Sequence, residues 1–76
     1  MSETIYGTEI EHDGTVNHGL EYLKHHWNDR YILDVFENAR TSADYKARFK
    51  INGDNSNGSY VLKYLSQHHY SLAWED

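Results

Sequence analysis

Three cations at alternate positions, Lys46, Arg48 and Lys50, are the residues of this chain whose types and spacing most readily suggest chemistry. They sit in an unbroken apolar–basic alternation, Tyr45-Lys46-Ala47-Arg48-Phe49-Lys50-Ile51. Successive side chains of a strand point to opposite faces, so Tyr45, Ala47, Phe49 and Ile51 line one face and the cations the other. With Lys63 on a neighbouring strand, that second face becomes a local positive surface. Arg48 adds a planar fork able to grip a carboxylate or phosphate with two bonds. The same alternation also describes the ordinary wet face of a half-buried sheet, where charges discourage edge-to-edge pairing.

A second set is acidic. Glu9, Glu11 and Asp13 alternate in a stretch, residues 1–13, that holds no Lys or Arg. They suit either of two roles: imitating phosphates in a partner's basic cleft, or pairing with Lys46, Arg48 and Lys50 across the chain's own sheet. Self-pairing is the preferred expectation, although opposite charges on facing strands contribute only about 0.2–1 kcal/mol each.

The histidines come third. His25-His26 and His68-His69, with His12 and His18, are imidazoles of the kind that bind zinc or nickel. Their spacing contains neither His-x-x-x-His nor His-Glu-x-x-His, and adjacent helical histidines point about 100° apart. Surface histidines explain the pairs, one of them near a helix carboxyl end where positive charge is favoured. No metal and no cofactor is expected. Nothing resembles a nucleophile elbow, a phosphate loop or a spaced acid pair. Gly53 and Gly58 flank a polar loop that lacks the Lys-Ser/Thr ending of a phosphate cradle. The chain is therefore not expected to be an enzyme.

These side chains must be held by a small scaffold. The 76 residues are read as one domain, 1–76. A chain of this length buries roughly 60% of the surface that its unfolded form exposes. A core of that size supports stability of roughly 3–5 kcal/mol. Seven Tyr, two Trp and two Phe supply large buried areas for a thin core, and tyrosine also serves recognition surfaces. The absence of cysteine excludes disulfides and thiolate metal sites and fits a reducing compartment. A net charge of −5 argues against indiscriminate attraction to nucleic acid or anionic membrane. No run approaches the roughly 20 apolar residues that span a bilayer, and Met1-Ser2-Glu3-Thr4 does not read as a secretory signal. A soluble, cytoplasmic protein is the expectation.

Periodicity and punctuation then give the elements. Residues 4–11 read as a strand in which Gly7 permits a bulge, followed by a turn at His12-Asp13-Gly14-Thr15. Asn17 caps a helix to Trp27 with Leu20, Leu23 and Trp27 on one face. A second helix, residues 29–40, aligns Ile32, Val35, Phe36 and Ala39. The two are read as separate helices because their apolar faces lose register at Asn28. A polar loop spans 52–58, every residue of it a turn former. Residues 59–65 read as a return strand, although Val61, Leu62, Leu65, His69 and Leu72 also fit a helical face. A turn at 67–69 leads to a last strand at 70–74.

The expected fold is α+β: an N-terminal strand, two short helices, then an antiparallel meander of two or three strands with the helices packed on one face. The expected function is a small non-catalytic binding protein that modulates or inhibits a partner protein through a charged, tyrosine-rich surface. Chains of this size are frequent among accessory proteins of phages and other mobile elements. The alternative from another class is a nucleic-acid-binding domain using Lys46, Arg48, Lys50 and Lys63, with Tyr60 or Tyr64 as stacking partners.

Overall fold

The structure is a computed structural model that describes residues 1–51 and 58–75. The expected loop at 52–58 lies, apart from Gly58, outside the described residues. Among the described residues the chain forms an α+β fold on one mixed five-stranded sheet. Its elements are β1 (Ser2–Ile5), β2 (Thr8–Glu11), α1 (Asn17–His25), α2 (Arg30–Thr41), β3 (Lys46–Phe49), β4 (Ser59–Ser66) and β5 (His69–Glu75). The sheet order is β1-β2-β5-β4-β3. The meander β3-β4-β5 is antiparallel throughout, whereas β2 runs parallel to β5.

The expected single amino-terminal strand is in fact a hairpin. Tyr6 and Gly7 both take left-handed backbone angles, φ +48° and +82°, and close a two-residue turn between Ile5 and Thr8. Paired left-handed residues match the twist of the flanking strands. A left-handed tyrosine costs about 1 kcal/mol or more. Its ring, 5.6 Å from that of Trp27, gives an aromatic contact of about 0.5–1.5 kcal/mol in return. The turn signal was invisible because Tyr-Gly stands where Asn-Gly or Asp-Gly usually does.

Asp13 rather than Asn17 starts the helical stretch. Its carboxylate accepts the Thr15 backbone N–H at 2.9 Å and caps a 3₁₀ turn, Gly14–Val16, that runs straight into α1. The two helices are separate, as their apolar registers require. The Asp29 backbone is extended, its N–H donates to the His26 carbonyl, and His26 Nδ1 meets the Asp29 carboxylate at 2.6 Å. α2 begins afresh at Arg30, with Arg30 and Asp34 paired at 3.2 Å on its outer side.

The first strand of the meander is shorter than the alternation suggested. Tyr45 has φ +56° and lies about half exposed, so β3 begins only at Lys46, and Ile51 falls beyond its end. At its entrance the Ser42 hydroxyl accepts the Lys46 N–H and donates to the Lys46 carbonyl, both at 2.9 Å. Residues 59–66 take the extended alternative, because β4 needs partners on both edges and finds β3 and β5 there.

By register, Ala47, Phe49, Tyr60, Leu62, Tyr70 and Leu72 share one face of the meander, and all are buried. That face meets both helices at the rings. Tyr22 of α1 stacks 6.5 Å from Phe49, and Phe36 of α2 meets Tyr70 edge-on at 4.8 Å. Ile10, Val16, Leu23, Ile32, Ala39 and Leu62 are completely sealed. At Gly19 the sheet comes closer than a methyl group allows: a Cβ there would lie 2.7 Å from Cε1 of Tyr60.

Two expected outcomes follow from this packing. Gly19→Ala, which ordinarily favours a helix by about 1 kcal/mol, should here lower stability by up to about 2 kcal/mol in urea unfolding, because overpacking costs about 1–3 kcal/mol; a gain would mean that Tyr60 yields freely. Asp13 is held below the ordinary aspartate range, first by the Thr15 hydroxyl and then by the Thr15 N–H. A depressed folded value stabilises above that range and is lost as pH falls through it. Asp13→Asn should therefore flatten the acid limb of a thermal-stability profile while leaving its slope near neutrality unchanged.

Candidate functional site

The other face of the sheet carries the charges. Reading across the register, Glu11 of β2, Ser71 of β5, Lys63 of β4 and Lys46 of β3 form one row. Arg48, Val61 and Ala73 form another. The alternation thus places three of the four expected cations, Lys46, Arg48 and Lys63, on adjacent strands of one face. Lys50 lies just past β3, exposed, its backbone N–H donating to the Tyr31 hydroxyl at 3.3 Å.

The three cations are not equivalent. Arg48 Nη2 lies 3.2 Å from Glu75 Oε1, an ion pair that reaches from β3 to β5 over the intervening β4. Val61 sits beneath that crossing, directly opposite Arg48. It is 4% exposed although it points away from the main core. Its cross-strand neighbours on that face are Arg48 and Ala73, and long charged side chains commonly cover apolar surface of this kind. Lys46 and Lys63, in contrast, are directly opposed across β3 and β4, and neither forms a side-chain ion pair among the described residues, Asp44 acting on Lys46 only as a nearby charge. Like charges in facing positions are destabilising.

Tyr60 and Tyr64 are not part of this surface. Tyr60 is 6% exposed on the helix side, between Phe49 at 5.4 Å and Trp74 at 4.9 Å. Tyr64 is half-buried between Tyr45 and Tyr70. Strand parity contained this answer: Tyr60 and Tyr64 stand an odd number of residues from Lys63, so they face the opposite way. Glu75 was the residue that sequence reasoning missed, because its pairing with Arg48 crosses a strand whose register only the fold reveals.

The expected self-pairing of the acidic stretch with the basic stripe does not occur among the described residues. β2 and β3 are separated by β5 and β4. Glu9 and Glu11 instead approach His69 of the parallel neighbour β5, whose Nε2 lies 3.2 and 3.3 Å from the two carboxylates without hydrogen-bond alignment to either. His26 stacks on Tyr22 at 4.4 Å, and no group of three His, Cys, Asp or Glu side chains gathers to hold a metal among the described residues. No helix among them is long and apolar enough to cross a membrane.

Two further groups brace the edges of the sheet. The Lys24 ammonium lies 2.7 Å from the Glu3 carboxylate, tying α1 to β1, and this contact raises the lysine above its usual range. At the entrance to β3, desolvation pushes the Asp44 carboxyl up. Hydrogen bonds from the Ser42 hydroxyl and the Lys46 N–H outweigh it and hold the group low.

Compared with known proteins, the chain matches no family model, no curated protein and no solved structure.

The opposed lysines give this surface a measurable signature. Lys63→Glu should raise stability by about 1 kcal/mol at low salt, since it turns a repulsive cross-strand pair into an attractive one. The gain should shrink as salt is added. A loss of stability in urea unfolding would show that Lys63 is already compensated.

Proposed function

We propose that this chain is a non-catalytic binding protein that modulates or inhibits a partner protein, docking an acidic patch of that partner on Lys46, Lys63 and Arg48. The observation that carries the reading is the facing pair Lys46–Lys63, neither held in a side-chain ion pair among the described residues on a chain of net charge −5. A carboxylate placed between the two ammonium groups would replace mutual repulsion with two charge-assisted contacts. Arg48, already turned towards Glu75 on the same face, supplies a planar edge to the patch. Such a surface accelerates encounter with an acidic partner and selects against a basic one.

Size and chemistry support a surface rather than a cleft. Lysines and an arginine on one sheet face offer no nucleophile–base pair. Nucleic acid remains the competing ligand for three cations. Its sequence-specific single-stranded form calls for exposed rings on which bases stack, and Tyr60 and Tyr64 lie on the helix side instead.

The test is chemical cross-linking of the full chain, through lysine-to-carboxylate chemistry, in an extract of its native cell, followed by mass spectrometry. Cross-links should run from Lys46 and Lys63 to acidic residues of one protein. Lys46→Glu combined with Lys63→Glu should weaken binding to that protein roughly 100-fold, from two charge-assisted contacts of about 1.5 kcal/mol each. Recovery of nucleic acid alone, or undiminished binding by the double variant, would refute the reading.

A further inference from the structure

A second site lies on the helix side of the sheet, away from the lysine pair. Between α2 and the β4–β5 turn is a hollow of about 380 Å³ lined by Thr8, Trp27, Leu33, Phe36, Tyr70 and three charged or ionisable side chains, Glu37, Arg40 and His68. Its volume lies within the roughly 300–1,000 Å³ typical of small-molecule sites. The aromatic wall is continuous: Trp27 lies 4.9 Å from Phe36, which meets Tyr70 edge-on at 4.8 Å. Leu33 is 48% exposed there, a leucine on α2 that the core does not cover.

The charges at its rim are arranged unusually. Glu37 and Arg40 are one turn apart on α2, a spacing at which opposite charges ordinarily pair. They do not pair here. Arg40 Nη1 donates instead to the Tyr70 hydroxyl at 3.1 Å, and neither side chain has an ionic partner among the described residues. Across from Arg40, the turn residue His68 takes φ +59° and also lines the hollow. Arg40, His68 and Tyr70 line, in addition, an adjoining hollow of about 240 Å³ with Tyr64 and Gln67. The guanidinium therefore stands on a saddle between two cavities, fixed by a phenol and with its remaining donors free.

We propose that this hollow binds a small zwitterion with an apolar side chain, an aromatic or branched α-amino acid. Its carboxylate meets Arg40 and its ammonium meets Glu37, while its side chain lies against Trp27, Leu33 and Phe36. Each half of the ligand answers a feature that the fold leaves open. The carboxylate uses guanidinium donors that Tyr70 does not take, and the ammonium uses an acid that Arg40 has turned away from. The apolar body covers Leu33, which the core leaves exposed, and the half-buried Trp27. A plain carboxylic acid would leave Glu37 unpaired beside it, and a plain amine would face Arg40.

Titration of the full chain with L-phenylalanine, followed by two-dimensional NMR, tests the site. Shifts should concentrate at the Trp27 indole N–H, the Arg40 Nε–H and the amides of Gln67 and His68. 3-Phenylpropionate and phenethylamine, each lacking one charge, should bind at least about tenfold more weakly, the loss of one charge-assisted contact. Arg40→Gln and Glu37→Gln should each lose a similar factor, and the two truncated ligands make the same comparison on the unaltered protein. Equal binding of all three ligands, shifts centred elsewhere, or no saturable shift would overturn the proposal.

Discussion

The middle of strand β4, residues 60–62, has no face that it can leave to water. Tyr60, Val61 and Leu62 follow one another and all three are buried, two towards the helices and one away from them. Its backbone has partners on both edges, β3 on one side and β5 on the other. A strand buried on both faces must be covered twice, and a chain of 76 residues has only enough apolar material for one true core. The fold meets this constraint unequally. Two helices and the rings of Phe49, Tyr60 and Tyr70 cover one side. Over the other, Arg48, directly opposite Val61, reaches across to Glu75.

That solution shapes the charges around it. An exposed ion pair such as Arg48–Glu75 contributes little by its Coulomb attraction. With Glu75 drawn to Arg48, the lysines on the next row remain facing each other. The acidic residues of β2 stay on the far side of the sheet, engaged with His69 across the parallel seam where β2 joins β5. The wet face is thus divided into an acidic side and a basic side by strand order alone.

Legibility in the sequence followed the range of the interactions. The alternation of Ala47, Arg48 and Phe49 and the helical spacing of Ile32, Val35, Phe36 and Ala39 are local, and both were readable. The parity that turns Tyr60 and Tyr64 away from Lys63 is equally local. What could not be read depends on partners distant in the chain. The Tyr6-Gly7 turn is tolerated because Trp27 lies beneath it. The parallel pairing of β2 with β5 rests on contacts such as the Glu9 N–H donating to the His68 carbonyl at 2.9 Å. The turn of Arg40 away from Glu37 depends on a tyrosine thirty residues later.

β4 separates a helix-covered face from one crossed by the Arg48–Glu75 pair. Nuclear Overhauser contacts from its methyl groups measure this directly. Leu62 methyls should contact Ala47, Leu72 and the helix side chains, while Val61 methyls contact Arg48 and Ala73 and no residue of α1 or α2. Contacts from Val61 to either helix, or a Leu62 without them, would contradict the account.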